Sequence, residues 1–165
     1  PAGQKVASAA NGSNLSFAKM DEAMDKVVDK DGEVDYILMH SRTLRSYMAL
    51  LRALGGASIG EVVTLPSGRT VPAYRGVPIY RNDYIPINVT QGNVATSTSV
   101  YFGTLDDGSM MHGISGLTAS GSAGIQIEEA GISETKDETI TRVKWYNGLA
   151  LFSNLGISAM TGILD

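Results

Sequence analysis

The chain has 165 residues, 43% hydrophobic and 18% charged, and its seventeen acidic and thirteen basic residues give a formal net charge of −4. That is enough apolar material for one domain-sized core. It is too little positive charge to draw a nucleic-acid backbone by itself, since neutralising phosphates takes clustered Lys and Arg. Cysteine is absent, which excludes disulfides and thiolate metal sites, and no apolar run reaches the ~18 residues of a membrane span.

The first residues lack the charged and apolar regions of a signal peptide, and Pro1 in place of Met is expected of a chain that begins inside a longer product. Residues 1–14 are small and polar, with Val6 the sole large apolar residue before Leu15. They read as an extended arm, ordered only where it pairs with something. Phe17, Met20, Met24, Val27 and Val28 then recur at helical spacing. Ser16 is placed to cap that helix with its hydroxyl and Gly32 to end it. Asp21, Glu22, Asp25 and Lys26 fill the outer face.

Val34 to His40 is short and mostly apolar, as in a strand covered on both faces. Ser41 opens a second helix, with Leu44, Tyr47, Met48, Leu51 and Leu54 as its inward stripe, Arg42, Arg45 and Arg52 outside, and Gly55-Gly56 as its stop. The arginines read equally as a solvated face and as a grip on a neighbour's carboxylates.

From residue 60 the period falls to two. Glu61–Leu65 and Arg69–Val71 flank Pro66-Ser67-Gly68, a hairpin signal. Val77–Tyr80 is a further strand, and the polar residues 87–99 read as an exposed loop. Ser99–Thr104, Met111–Leu117 and Gly124–Ala130 are short strands separated by turns. Thr139–Phe152 reads as one long strand on which Trp145, Leu149 and Leu151 share parity, and Ile157–Ile163 as a closing strand. The fold class is α+β.

Motifs for chemistry are sparse. His112 with Ser109 and Asp106 or Asp107 supplies the residue types of a hydrolytic triad, but a triad is defined by geometry and no G-x-S-x-G is present. Asp29, Lys30, Asp31, Gly32 and Glu33 echo a calcium loop with the glycine misplaced and no closing bidentate Glu, so a helix end and turn is the expected structure. His40 ends one strand and His112 begins another. Asn11, Asn14 and Asn88 head glycosylation sequons, read as coincidence without a secretory signal. No phosphate-cradling glycine motif occurs.

The ordered set Tyr36 to Ser41, Leu44 to Leu54, Gly76-Val77-Pro78-Ile79, Ser99 to Gly103, Arg142 to Phe152 with Gly148-Leu149-Ala150-Leu151 inside it, and Ile157 to Ile163 resembles the C-terminal part of the major capsid proteins of tailed double-stranded DNA bacteriophages, the Hong Kong-type capsid fold. The resemblance implies an axial domain over about 15–132, a long peripheral-domain strand at 133–155, a closing strand at 156–165, and residues 1–14 as an arm or peripheral segment. It implies a structural subunit of an icosahedral virion, formed in the host cytoplasm, whose partners are copies of itself in pentamers and hexamers, scaffold or decoration proteins, and packaged double-stranded DNA held without sequence-specific contacts. It implies no membrane, no cofactor, and no catalytic, cofactor-binding or metal residue. Some members crosslink subunits through Lys, Asn and Glu; here Thr139 stands where the Asn falls and Tyr146 near the Glu, which argues against crosslinking. The loop 87–99 or the segment 55–70 is expected at or near a subunit contact, and both are expected to be dispensable to the core. Two alternatives stand beside this reading: an encapsulin-like nanocompartment shell of the same fold, and a small α+β hydrolase or ligand-binding domain using His112, Asp106 and Asp107.

Overall fold

The computed structural model describes residues 2–30, 32–54, 61–121, 123–132 and 135–164. Elements follow in the order β1 (Lys5–Ala7), α1 (Phe17–Val28), β2 (Tyr36–Met39), α2 (Ser41–Ala53), β3 (Val62–Thr64), β4 (Thr70–Tyr74), β5 (Val77–Arg81), β6 (Val89–Gln91), β7 (Val94–Gly103), β8 (Ile114–Thr118), β9 (Gln126–Ile132), β10 (Thr139–Lys144), β11 (Asn147–Leu151) and β12 (Ile157–Ile163). They fall into two compact units, one of residues 1–114 with 152–165 and one of residues 115–151.

The larger unit is built on an eight-stranded sheet in the order β1-β12-β7-β2-β5-β4-β3, with β6 added beside β7. β1 runs parallel to β12 and β2 parallel to β5; the other pairs are antiparallel. The polar arm therefore finds its partner within the chain. Val6 pairs with Met160 and is buried, Ser8 N donates to Thr161 O at 2.9 Å, and the Ser8 hydroxyl donates to the Gly162 carbonyl.

β2 alternates half-buried and buried: Ile37 and Met39 are fully enclosed, while Tyr36 and Leu38 are not. The expectation of a strand covered on both faces is thus corrected. Ile37, Phe102, Ile79 and Met160 point to one face, and there α1 closes over them with Met20, Ala23, Met24 and Val27. Ser158 Oγ donates to Ala23 O at 2.6 Å, so this buried hydroxyl is satisfied by the helix above it. Gly103 lies opposite Tyr36, and a Cβ there would meet the Tyr36 ring; only glycine leaves room for that phenol.

Both helices form where the apolar spacing places them, with different ends. Ser16 is the N-cap of α1 but makes no side-chain cap bond. The helix closes at Asp29, whose N–H donates to Asp25 O, while Gly32 N reaches back to Val27 O at 3.2 Å. α2 is capped by His40 rather than by a hydroxyl: Nδ1 accepts from Arg42 N at 3.0 Å. Its deepest residues are Thr43 and Tyr47; Leu44, Met48 and Leu51 are half-buried and Leu54 is 74% exposed, so the expected inward stripe is one residue too long. Gly55-Gly56, the expected stop, lie outside the described residues.

Three rings join α1, α2 and β4. Phe17 stacks on Tyr74 with centroids 5.6 Å apart, and Tyr47 meets each of them edge-on. Tyr47 Oη donates to Ala73 O at 2.7 Å, and Tyr74 Oη donates to Asp21 Oδ1 at 2.8 Å. The β4–β5 connection is a two-residue turn in which both Arg75 (φ 52°) and Gly76 (φ 80°) are left-handed. That backbone matches the strand twist of tight hairpins.

Residues 87–99 are not a loop. They form the β6–β7 hairpin around Gly92, and β7 is the longest strand of the chain. Ser97, Thr98 and Ser99 are buried, and the first two find acceptors in their neighbours: Ser97 Oγ donates to Val89 O at 2.7 Å and Thr98 Oγ1 to Pro86 O at 3.0 Å.

In the smaller unit the single strand expected over 139–152 is two. β10 pairs with β9 and β11 pairs with β8, and the run breaks at Trp145-Tyr146, both exposed. Trp145 therefore shares no strand face with Leu149 and Leu151. The expected strand 111–117 begins three residues later, at Ile114, because 110–113 form a bend with Met110 and Gly113 left-handed. The units part at 114 and 151; β9 has β10 as its neighbour and takes no place in the main sheet.

Burial pushes the Tyr47 hydroxyl up to about 12, with the Glu61 charge adding to it. Because the folded state holds this proton more tightly than the unfolded chain, the associated stability is complete below pH ~10 and is lost as pH rises through about 12. Tyr47→Phe should flatten that alkaline limb in urea titrations followed by circular dichroism. It should also cost about 1–3 kcal/mol at neutral pH by leaving the Ala73 carbonyl unpaired. Deleting 88–97, expected from the sequence to spare the core, should instead abolish cooperative unfolding, because it removes β6 and the first four residues of β7, the buried Ser97 among them; a cooperative melt of the deletion would contradict this pairing.

Candidate assembly surface

α2 turns Arg45, Met48 and Arg52 to one side, at the i, i+3 and i+7 spacing of a helix face. They line a groove of about 620 Å3 with Ser41, Leu44 and Arg81. A second groove, about 510 Å3, shares Leu44 and Arg81 and adds Arg69. Arg45, Arg52 and Arg69 are exposed, and among the described residues no ion pair holds them. Arg42, by contrast, is engaged within the unit, donating through Nη2 to Thr96 O at 2.9 Å.

The groove's rim is held by Asp83. Its carboxylate accepts from Ser41 N at 3.3 Å and pairs with Arg81 at 2.7 Å. The hydrogen bonds from Ser41 and the Arg81 charge hold it below the usual carboxylate range. An anion at a helix N-terminus is favoured there by the free N–H groups of the first turn, so His40 and Asp83 together fix the start of α2. Neither role was read from the sequence. Asp83 lies 42 residues from Ser41, a separation that no local pattern spans.

The other candidate cluster lies at 106–112, and the structure brings its members together as a turn. Asp107 Oδ1 accepts from Ser109 N at 2.9 Å, Asp106 Oδ1 from Met110 N at 3.0 Å, and Ser109 Oγ from Met111 N at 3.3 Å. The bonds from Ser109, and behind them the His112 charge, lower the Asp107 carboxyl below its ordinary range. His112 Nε2 stands 3.9 Å from Asp107, beyond hydrogen-bond range, and Ser109 Oγ is directed to the backbone rather than to the imidazole. A nucleophile needs its hydroxyl on the base. Here carboxylates and hydroxyl close a surface bend.

Asp31 of the calcium-like run lies outside the described residues. Among those described, no group of three or more His, Asp or Glu side chains could hold a metal ion, and no helix is long and apolar enough to cross a membrane. The smaller unit exposes Ile127, Val143, Trp145 and Leu149, each more than 60% accessible. So many large apolar side chains on so short a segment mark a contact surface.

No protein-family model matches the chain, and no curated protein matches it. Solved structures do. The holo-SrpI encapsulin complex from Synechococcus elongatus PCC 7942 aligns with a TM-score of 0.72 and 20% identity, over 98% of this chain and 53% of that one. The capsid of a native GTA particle aligns with a TM-score of 0.52 and 14% identity, over 97% of this chain and 49% of that one. The chain thus spans about half the length of each. Its α+β architecture is the Hong Kong-type capsid fold.

Because His112 only borders the bend, His112→Ala should leave thermal stability within about ±0.5 kcal/mol of wild type. Asp106→Asn keeps an acceptor for Met110 N and should do the same; a large loss in either would mean that the cluster does more than close a turn.

Proposed function

We propose that the chain is part of a structural shell subunit, which repeats around rotation axes to build a closed container. The observation that carries this is the fold match over almost the whole chain to two proteins that are themselves shells. The surfaces support it. The smaller unit leaves apolar side chains uncovered, as strands do that wait for further segments of a shell. The larger unit carries a basic groove on one helix. No side chain is assigned bond chemistry; the 106–112 cluster serves a turn.

In this proposal the unit of 1–114 with 152–165 is the axial domain, meeting its copies around five- and six-fold axes, and the strands of 115–151 belong to the peripheral domain. The finer reading we put first is a phage-type major capsid protein, enclosing double-stranded DNA in a virion, with scaffold or decoration proteins as possible further partners. The acidic balance of −4 suits a wall that does not adhere to DNA. The second reading is an encapsulin-type compartment. One observation favours it: the encapsulin superposes with the higher TM-score, 0.72 against 0.52.

Expressing the full-length protein and imaging it by negative stain tests the shell reading. Closed particles are expected; a monodisperse monomer at every concentration would overturn it. The contents separate the two finer readings. Nuclease-protected double-stranded DNA inside particles formed in its natural host is expected of a capsid, and a packaged protein recovered from nuclease-treated particles of a compartment.

A further inference from the structure

Charge in the larger unit is divided along the chain. From Asp25 through Asp35 the exposed groups are chiefly acidic: Asp25, Asp29 and Glu33 project at the end of α1 and the turn after it, with Lys26 and Lys30 as the only bases in that run. From Tyr36 through Arg81 the balance reverses, with six arginines against the single acid Glu61. The fold turns this sequence asymmetry into a spatial one. α1 packs over β1, β12 and β7, and Ser158 of β12 bonds to it directly. α2 lies over the same face but toward the other edge: Tyr47 meets Phe17 at the start of α1 and reaches Ala73 of β4, and Arg45 and Arg52 share their groove with Arg81 of β5. In the strand order β1-β12-β7-β2-β5-β4-β3 the strands under α1 and those beside the groove lie toward opposite edges.

Arg81 is held by Asp83, Arg75 by Asp21 and Lys19 by Glu22, but among the described residues no ion pair holds Arg45, Arg52, Asp25, Asp29 or Glu33. Between the arginines, Leu44 and Met48 supply an apolar floor.

We infer that the Arg45–Arg52–Arg81 groove is one half of a head-to-tail contact between copies of this chain, and that its other half is the acidic end of α1, with Asp25, Asp29 and Glu33. A contact that joins two different surfaces of one protein closes into a ring when its rotation permits. Opposite charge on the two surfaces sets the register and disfavours like-to-like pairing. The occupant is a second copy because the complementary charge is carried by the same unit, toward the edge away from the groove. Guanidinium forks are suited to carboxylates, and the groove's apolar floor lets the stems pack. The inference rests on the shell reading and names the contact that reading requires.

The test uses the full-length protein in three forms: Arg45→Glu with Arg52→Glu, Asp25→Arg with Asp29→Arg, and all four together. Circular dichroism melts check folding, sedimentation reads association at low and high salt, and negative stain reads particles. Either one-sided swap should weaken association by roughly tenfold or more, since like charges then face each other. The fourfold variant should recover it, because the contact is rebuilt with its signs reversed. Wild-type association should fall as salt rises. If a one-sided swap fails to fold, Arg45→Ala with Arg52→Ala takes its place and should give a smaller loss. One-sided swaps that associate like wild type, or a fourfold variant no better than they are, would overturn the contact. So would an arginine swap that abolishes binding to a short DNA duplex while the aspartate swap assembles normally, since the groove would then serve nucleic acid. Wild type that shows the charge-dependent association yet never closes into particles would sink the shell reading and leave the contact standing. Particles from every variant would do the reverse.

Discussion

The larger unit depends on one strand finding its hydrogen-bond partners. β7 is paired along one edge by β12 and along the other by β2, and its first residues pair with β6. Each of those ladders satisfies backbone groups that burial would otherwise leave stranded. Phe102 and Val100 are fully enclosed only because both neighbours are in place. The hydroxyls of Ser97 and Thr98 are tolerated inside because the chain running back toward β6 offers carbonyls to each. Remove β7 and β2 keeps only β5, while β12 keeps only β1.

That arrangement also explains where the surfaces lie. With both helices on one face of the sheet, the opposite face presents Tyr36, Leu38 and Tyr101 half-buried. The helices' outer sides carry the charge. The larger unit therefore commits most of its apolar residues to one layer and its ionic ones to the rim of that layer.

Much of this was legible in the sequence. Helical spacing from Phe17 to Val28 and from Ser41 to Ala53, the Pro66-Ser67-Gly68 turn and the closing strand Ile157–Ile163 all stand where the pattern puts them, because each is set by local chemistry. The ordered resemblance gave the fold although the identity to solved relatives is only 20% and 14%. What stayed hidden was non-local. Ser97 and Thr98 look like loop residues until the acceptors that satisfy their hydroxyls are known. The break at Trp145-Tyr146 is decided by which strands lie beside β10 and β11, and nothing within 139–152 records that. His40 gives no signal as a cap, since imidazole is outside the usual set of capping side chains. A clue to β7 was present: β-branched residues on both sides of Gly92-Asn93 are a hairpin signature.

The parallel pairing of β1 with β12 ties segments 154 residues apart, as Ser8 with Gly162. During synthesis the ribosome delivers one of these long before the other. Until residues 157–163 emerge, β1 has no ladder to join and one edge of β7 is open, a bare edge of the kind that captures stray strands. The main sheet therefore stays unfinished until residues 157–163 are made, and a nascent chain halted before them keeps that edge of β7 bare.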